Sequence, residues 1–89
     1  MSRADFLDAV FTLGLKYGAS VTSWFRSDTR NKAVGGVPHS AHRYGLGIDL
    51  VFDSPPDQDF LLEDARRLGL RVLPEGDHHH VQPLDWSAG

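Results

Sequence analysis

The stretch His39-Ser40-Ala41-His42-Arg43-Tyr44-Gly45-Leu46-Gly47-Ile48-Asp49-Leu50-Val51-Phe52 passes from a polar, titratable half into an apolar strand. Ile48, Leu50 and Phe52 fall on one face of that strand, Asp49 and Val51 on the other, because successive side chains alternate. His42 and Asp49 are seven positions apart. A straight helix would leave them about 10 Å apart and a straight strand more than about 20 Å. Neither geometry lets both touch one metal ion, whose ligands sit about 2 Å from it. A bend would, and Gly45 and Gly47 permit one, since glycine accepts backbone angles that other residues resist. His42 then folds back over Asp49 at the start of the strand.

Working outward, residues 3–17 read as a helix. Phe6, Val10, Leu13 and Tyr17 recur at three- and four-residue spacing, and Leu7, Phe11 and Leu15 widen the stripe. Ser2 with Asp5 resembles a capping arrangement, and Gly18 is a natural stop. A second helix runs from Gln58 to Leu68 between Asp57 as N-cap and Gly69, with Phe60, Leu61, Ala65 and Leu68 as its apolar face. Strands are expected at Ser20 to Phe25, Ile48 to Phe52, Leu70 to Leu73 and His78 to Gln82. One or two helical turns fit Ser27 to Val34, ended by Gly35-Gly36. The fold class is therefore α+β, a small domain over residues 1–89 with two main helices and an antiparallel or mixed sheet.

At 89 residues, a single small domain buries only about 60% of its unfolded surface. Its core is marginal, and a staple would help. There is no cysteine for disulfides, so the five histidines make a bound metal the first candidate. The net charge of −3 lacks the basic surplus usual in nucleic-acid binding, so no nucleic-acid partner is expected. No apolar run approaches the roughly 18 residues that would cross a bilayer. Asp5 and Asp8 interrupt the apolar stretch that a signal peptide would need, and a monomer is expected.

The second titratable cluster is Glu75-Gly76-Asp77-His78-His79-His80. In a strand, His78, His80 and Gln82 share one face, with His79 and Val81 opposite. His80 would add a third ligand to His42 and Asp49. Two imidazoles, a carboxylate and an open fourth position make the catalytic rather than the structural zinc arrangement. Asp77 and Glu75 lie close enough in sequence to serve as a general base there.

The ordered set Ser23-Trp24-Phe25-Arg26-Ser27, Asn31, Gly35-Gly36, Ser40-Ala41-His42, Gly45, Asp49 and Asp77-His78-His79-His80 resembles the zinc D-Ala-D-Ala carboxypeptidases and their phage endolysin relatives. These belong with the lysostaphin-type peptidases and the hedgehog signalling domain in one superfamily. The resemblance spans Ser23 to Gln82 and implies a small hedgehog/DD-peptidase-like fold. It implies one zinc ion held by His42, Asp49 and His80, with Asp77 as general base and acid. Arg26 would steady the oxyanion or a substrate carboxylate, Ser40 would hydrogen-bond the substrate, and His78 would be a second polar contact to the transition state. A rival frame, Glu75-Gly76-Asp77-His78, would make His78 the ligand and Glu75 the base. The Asp77 frame is preferred because His80-Val81-Gln82 resumes strand alternation, which requires Asp77 to sit in the turn before the strand.

The implied activity is hydrolysis of an amide bond in peptidoglycan stem peptides, by a D-Ala-D-Ala carboxypeptidase or an L,D-endopeptidase. The implied place of action is the bacterial cell wall, with the cytoplasm before phage lysis as one setting. The competing reading is a zinc-stabilised, non-catalytic cell-wall binding or phage structural module. An acid at Asp77 or Glu75 favours the enzyme.

Overall fold

The computed structural model describes residues 1–35 and 40–86, the Asp28 side chain excepted. Gly36 and His39, both singled out in the sequence, lie outside the described residues. The elements are α1 (Arg3–Tyr17), β1 (Ala19–Ser23), α2 (Asp28–Ala33), a 3-10 turn (Ala41–Tyr44), β2 (Ile48–Phe52), α3 (Gln58–Arg67), β3 (Leu70–Pro74) and β4 (His79–Pro83). The four strands form one sheet in the order β1-β2-β4-β3, antiparallel throughout. The class is α+β.

Both long helices are delimited by the chemistry expected of them. The Ser2 hydroxyl accepts from the Asp5 N–H at 3.0 Å, and Gly18 ends α1 in the left-handed region at φ 68°. The Asp57 carboxylate accepts from the Phe60 N–H at 3.0 Å to open α3. Each cap satisfies an amide that the helix itself leaves unpaired.

Helices α1 and α3 cover one face of the sheet. Phe6, Val10 and Leu13 from α1, Leu61 and Ala65 from α3, and Ile48, Leu50, Leu70, Val72 and Val81 from the strands form one buried cluster. Burying such a large apolar side chain is worth about 1.5–3 kcal/mol, so this face supplies most of the folding energy. Two expectations are corrected here. Phe11 and Leu15 do not widen the α1 stripe; they are 54% and 86% exposed. Phe60 is 64% exposed, since Leu61 and Ala65, one turn apart, already set the buried stripe and Phe60 falls beside it.

The strand ends also shift. β1 stops at Ser23 instead of Phe25, after a bulge between Val21 and Ser23. An extra residue bends a strand and raises its twist, and Trp24, Phe25 and Arg26 leave the sheet at that point. β4 starts at His79, so His78 belongs to the turn before it. The opposite face of the sheet carries Asp49 and His80 and has no helix of its own across it among the described residues.

Candidate metal centre

Three elements bring His42, Asp49 and His80 together. Asp49 and His80 are direct cross-strand partners in the β2–β4 ladder, so their side chains stand side by side on the open face. His42 comes from the 3-10 turn, which reverses through Gly45 at φ 71°. A Cβ on Gly47 would lie 2.8 Å from the His42 backbone nitrogen, so only glycine lets the strand pass this close beneath the turn. The bend anticipated from the two glycines is present, with one supplying the backbone angle and the other the space.

The segment after β1 clamps that turn. The His42 Nδ1–H donates to the Trp24 carbonyl at 2.6 Å, the Trp24 indole N–H donates to the Gly45 carbonyl at 3.0 Å, and the Arg26 N–H donates to the His42 carbonyl at 2.9 Å. Ser40 caps the turn by accepting from the His42 N–H at 3.3 Å. These four contacts hold His42, whose side chain is 2% exposed, in one orientation.

His42 Nε2 lies 3.1 Å and His80 Nδ1 3.2 Å from the same Asp49 oxygen, Oδ1. The outward nitrogens are committed elsewhere: His42 Nδ1 to Trp24, and His80 Nε2 to the Gln82 side-chain oxygen at 2.8 Å. Both of those partners accept hydrogen bonds, so in the neutral imidazoles the outward nitrogens carry the protons. The inward nitrogens then turn lone pairs toward a carboxylate, an arrangement that calls for a cation between them. Neighbouring ligand atoms on a tetrahedral zinc with bonds of about 2.0–2.1 Å stand about 3.3–3.4 Å apart. All three ligand atoms here lie within 4.8 Å of one another. The donor set, its spacing and its outer hydrogen bonds fit zinc.

A protonated imidazole that donates to Asp49 meets the same need for positive charge. Burial alone would raise the Asp49 carboxyl, but the His42 and His80 hydrogen bonds outweigh it and hold the carboxyl well below the usual range. Burial pushes His80 down, and its hydrogen bonds to Asp49 and Gln82 override that, leaving it raised. The site stabilises a negative carboxylate with positive charge beside it.

The three residues line an open cleft of about 1030 Å³. Arg26, Ser40 and His78 also line it. The Arg26 Nε is buried and has no hydrogen-bond partner among the described residues. Asp77 is placed differently from the expectation. It does sit in the turn, where Gly76 adopts φ 75°, but its side chain is 96% exposed and does not line the cleft. Instead Asp77 Oδ1 lies 2.8 Å from His78 Nδ1. That hydrogen bond lowers the Asp77 carboxyl and raises the His78 imidazole. Glu75 lines the cleft, its Oε1 3.4 Å from His78 Nε2.

Sequence reasoning passed over four cleft contributors. Gln82 was placed on the ligand face without a role, and it orients His80. Trp24 acts through its backbone carbonyl, which no side-chain pattern reveals. Arg30 and Trp86 line the cleft from α2 and from beyond β4. A charged helical residue beside Asn31 and a tryptophan six residues past His80 carry no local signal that would set them in a cleft.

The buried His42 and His80 and the partly buried Asp49 line one cleft with Arg26, and two imidazoles with a carboxylate are a donor set able to hold a metal ion. The family model described as Peptidase M15 matches residues 3–81, and the chain belongs to that family. The protein is thus a hydrolase of the metallopeptidase kind, from a zinc-dependent family, and its substrate is a peptide. No curated protein and no solved structure matched the chain. Among the described residues no helix is long and apolar enough to cross a membrane.

Proposed function

We propose that the cleft hydrolyses an amide bond in peptidoglycan stem peptides at the bacterial cell wall, with one zinc ion held by His42, Asp49 and His80. The bond is that of a D-Ala-D-Ala carboxypeptidase or an L,D-endopeptidase. The observation that carries this reading is the convergence of two imidazole nitrogens on Asp49 Oδ1 at 3.1 and 3.2 Å, their outer nitrogens both committed. Zinc bound there supplies Lewis acidity, polarising an amide carbonyl and making water a competent nucleophile near neutral pH.

The remaining chemistry falls to the chain. The Arg26 guanidinium, its buried Nε without a partner among the described residues, donates to the oxyanion that develops on the substrate carbonyl. A donor of this kind is typically worth about 2.7–4 kcal/mol. Glu75 faces the cleft while Asp77 does not, so the proton-acceptor role expected of Asp77 passes to Glu75. Its carboxylate takes the proton of the attacking water and returns it to the leaving amine. Asp77 instead holds His78 Nδ1, which presents His78 Nε2 to the reacting centre. Ser40 keeps its own O–H as a donor to the substrate backbone, and Trp24, Phe25 and Trp86 offer an aromatic wall for the peptide. The acid at the cleft wall favours this reading over a non-catalytic binding module.

The test is zinc content of dialysed protein, beside His80→Ala, followed by mass spectrometry of purified cell walls digested by each. One zinc per chain with new peptide termini, both lost in His80→Ala, supports the proposal. Well-folded wild-type protein that retains no metal and releases nothing would overturn it.

A further inference from the structure

We infer a second metal position in the same cleft, sharing Asp49 with the first. The two oxygens of Asp49 face different partners. Oδ1 meets His42 and His80, whereas Oδ2 lies 4.0 Å from His78 Nε2. Glu75 Oε1 stands 3.4 Å from that same nitrogen. One ligand atom each from Asp49, Glu75 and His78 fall within 4.8 Å of one another.

The outer contacts follow the logic of the first site. His78 Nδ1 is engaged by Asp77 Oδ1 at 2.8 Å, which turns Nε2 toward Glu75 and Asp49. A carboxylate behind a histidine is the usual support for a metal-ligating imidazole, fixing its tautomer and raising its basicity. This gives the exposed Asp77 a positioning role. One nitrogen and two carboxylate oxygens suit a borderline divalent ion such as zinc. A carboxylate shared between two ions about 3.5–4 Å apart is a recurrent hydrolase arrangement.

The second position is the weaker of the two. Glu75 is half exposed and His78 lies in a turn, while the first site has two imidazoles buried on ordered elements. An ion there occupies Glu75 Oε1, the group given to proton transfer, and His78 Nε2, the contact presented to the reacting centre. Excess zinc is therefore an inhibitor of the enzyme, a consequence that rests on the function proposed above; the site itself rests only on the placement of these residues.

Zinc is titrated into the dialysed full chain by isothermal titration calorimetry, with elemental analysis at the end points and circular dichroism to verify folding. Wild type should take two zinc ions, the second more weakly. Glu75→Gln and His78→Ala should each return to one zinc with the tight affinity intact. His80→Ala should lose the tight phase. Asp77→Asn should weaken only the second phase, by about 10–100-fold. A single zinc in wild type, or a second phase untouched in both Glu75→Gln and His78→Ala, overturns the second position and leaves the first standing. No zinc at all overturns both.

Discussion

The two faces of the sheet are built from the same strands yet answer to opposite physics. On the helix side, Ile48, Leu50, Val72 and Val81 pack against Phe6, Val10, Leu13 and Leu61 with almost no exposure. On the cleft side, Asp49, between Ile48 and Leu50, and His80, next to Val81, gather lone pairs and charge. The apolar face gains stability from every contact. The polar face stays favourable only when a proton or metal ion balances Asp49 and its imidazoles, since buried charge is costly unless paired. A 5-residue strand such as β2 thus carries folding on its even positions and chemistry at Asp49.

The sharpest way to break this contrast is to remove one residue from each face. Asp49→Ala should abolish zinc retention and peptide hydrolysis while the circular dichroism spectrum stays native. Phe6→Ala should remove about 3–5 kcal/mol of stability in denaturant titration, a large share of the roughly 5–15 kcal/mol of a typical domain. If Asp49→Ala unfolds the protein as readily as Phe6→Ala, the division of labour is mistaken. Next in size, Arg26→Ala should lower turnover by about 10²–10³-fold with zinc retained, as measured by steady-state kinetics beside elemental analysis. Zinc lost from a folded Arg26→Ala variant would argue that Arg26 serves the metal site instead of the substrate.

Gln82→Ala tests the outer layer of the centre. It should weaken zinc binding by about 10–100-fold in competition with a chromogenic chelator, because His80 Nε2 loses its acceptor. The smallest effect lies on the helix side, where Lys16 and Tyr17 on α1 hydrogen-bond Asp64 on α3 and lower its carboxyl. A depressed folded pKa adds stability above the unfolded value, about 3.9, and that contribution is lost as pH falls through the folded value. Thermal melts of wild type and Asp64→Asn should therefore differ slightly at pH 7, with the gap starting to close near pH 4 and gone only below the folded value. The same contact pushes the Tyr17 phenol up to about 12. An unchanged gap at acid pH would mean that Asp64 acts through packing alone.

Much of this molecule was legible before any coordinates. Helix α1 and strand β2 fall at the expected bounds, because caps, glycine stops and period-two alternation are local signals. His42, Asp49 and His80 could be nominated because imidazole and carboxylate groups beside an apolar strand need a reason to be there. Phe11, Leu15 and Phe60 were misassigned to buried stripes, since periodicity shows that a stripe exists but not how wide a face the sheet will cover.

Residue types and local signals were enough to place most elements, to nominate the candidate ligands and to mark the glycines that let the chain double back. Which acid meets the cleft, and what orients each imidazole, follows from packing between elements distant in sequence. Asp77 and Glu75 differ by two positions in one turn, where side-chain direction follows no period, and the backbone sends Glu75 inward and Asp77 out to His78. The Trp24 carbonyl and the Gln82 amide reach His42 and His80. The Asp49–His80 register is a choice among ladder alignments, made by core packing on the far side of the sheet. The chemistry of the site is thus written in residue types, and its geometry is imposed by the apolar face that holds the strands in register.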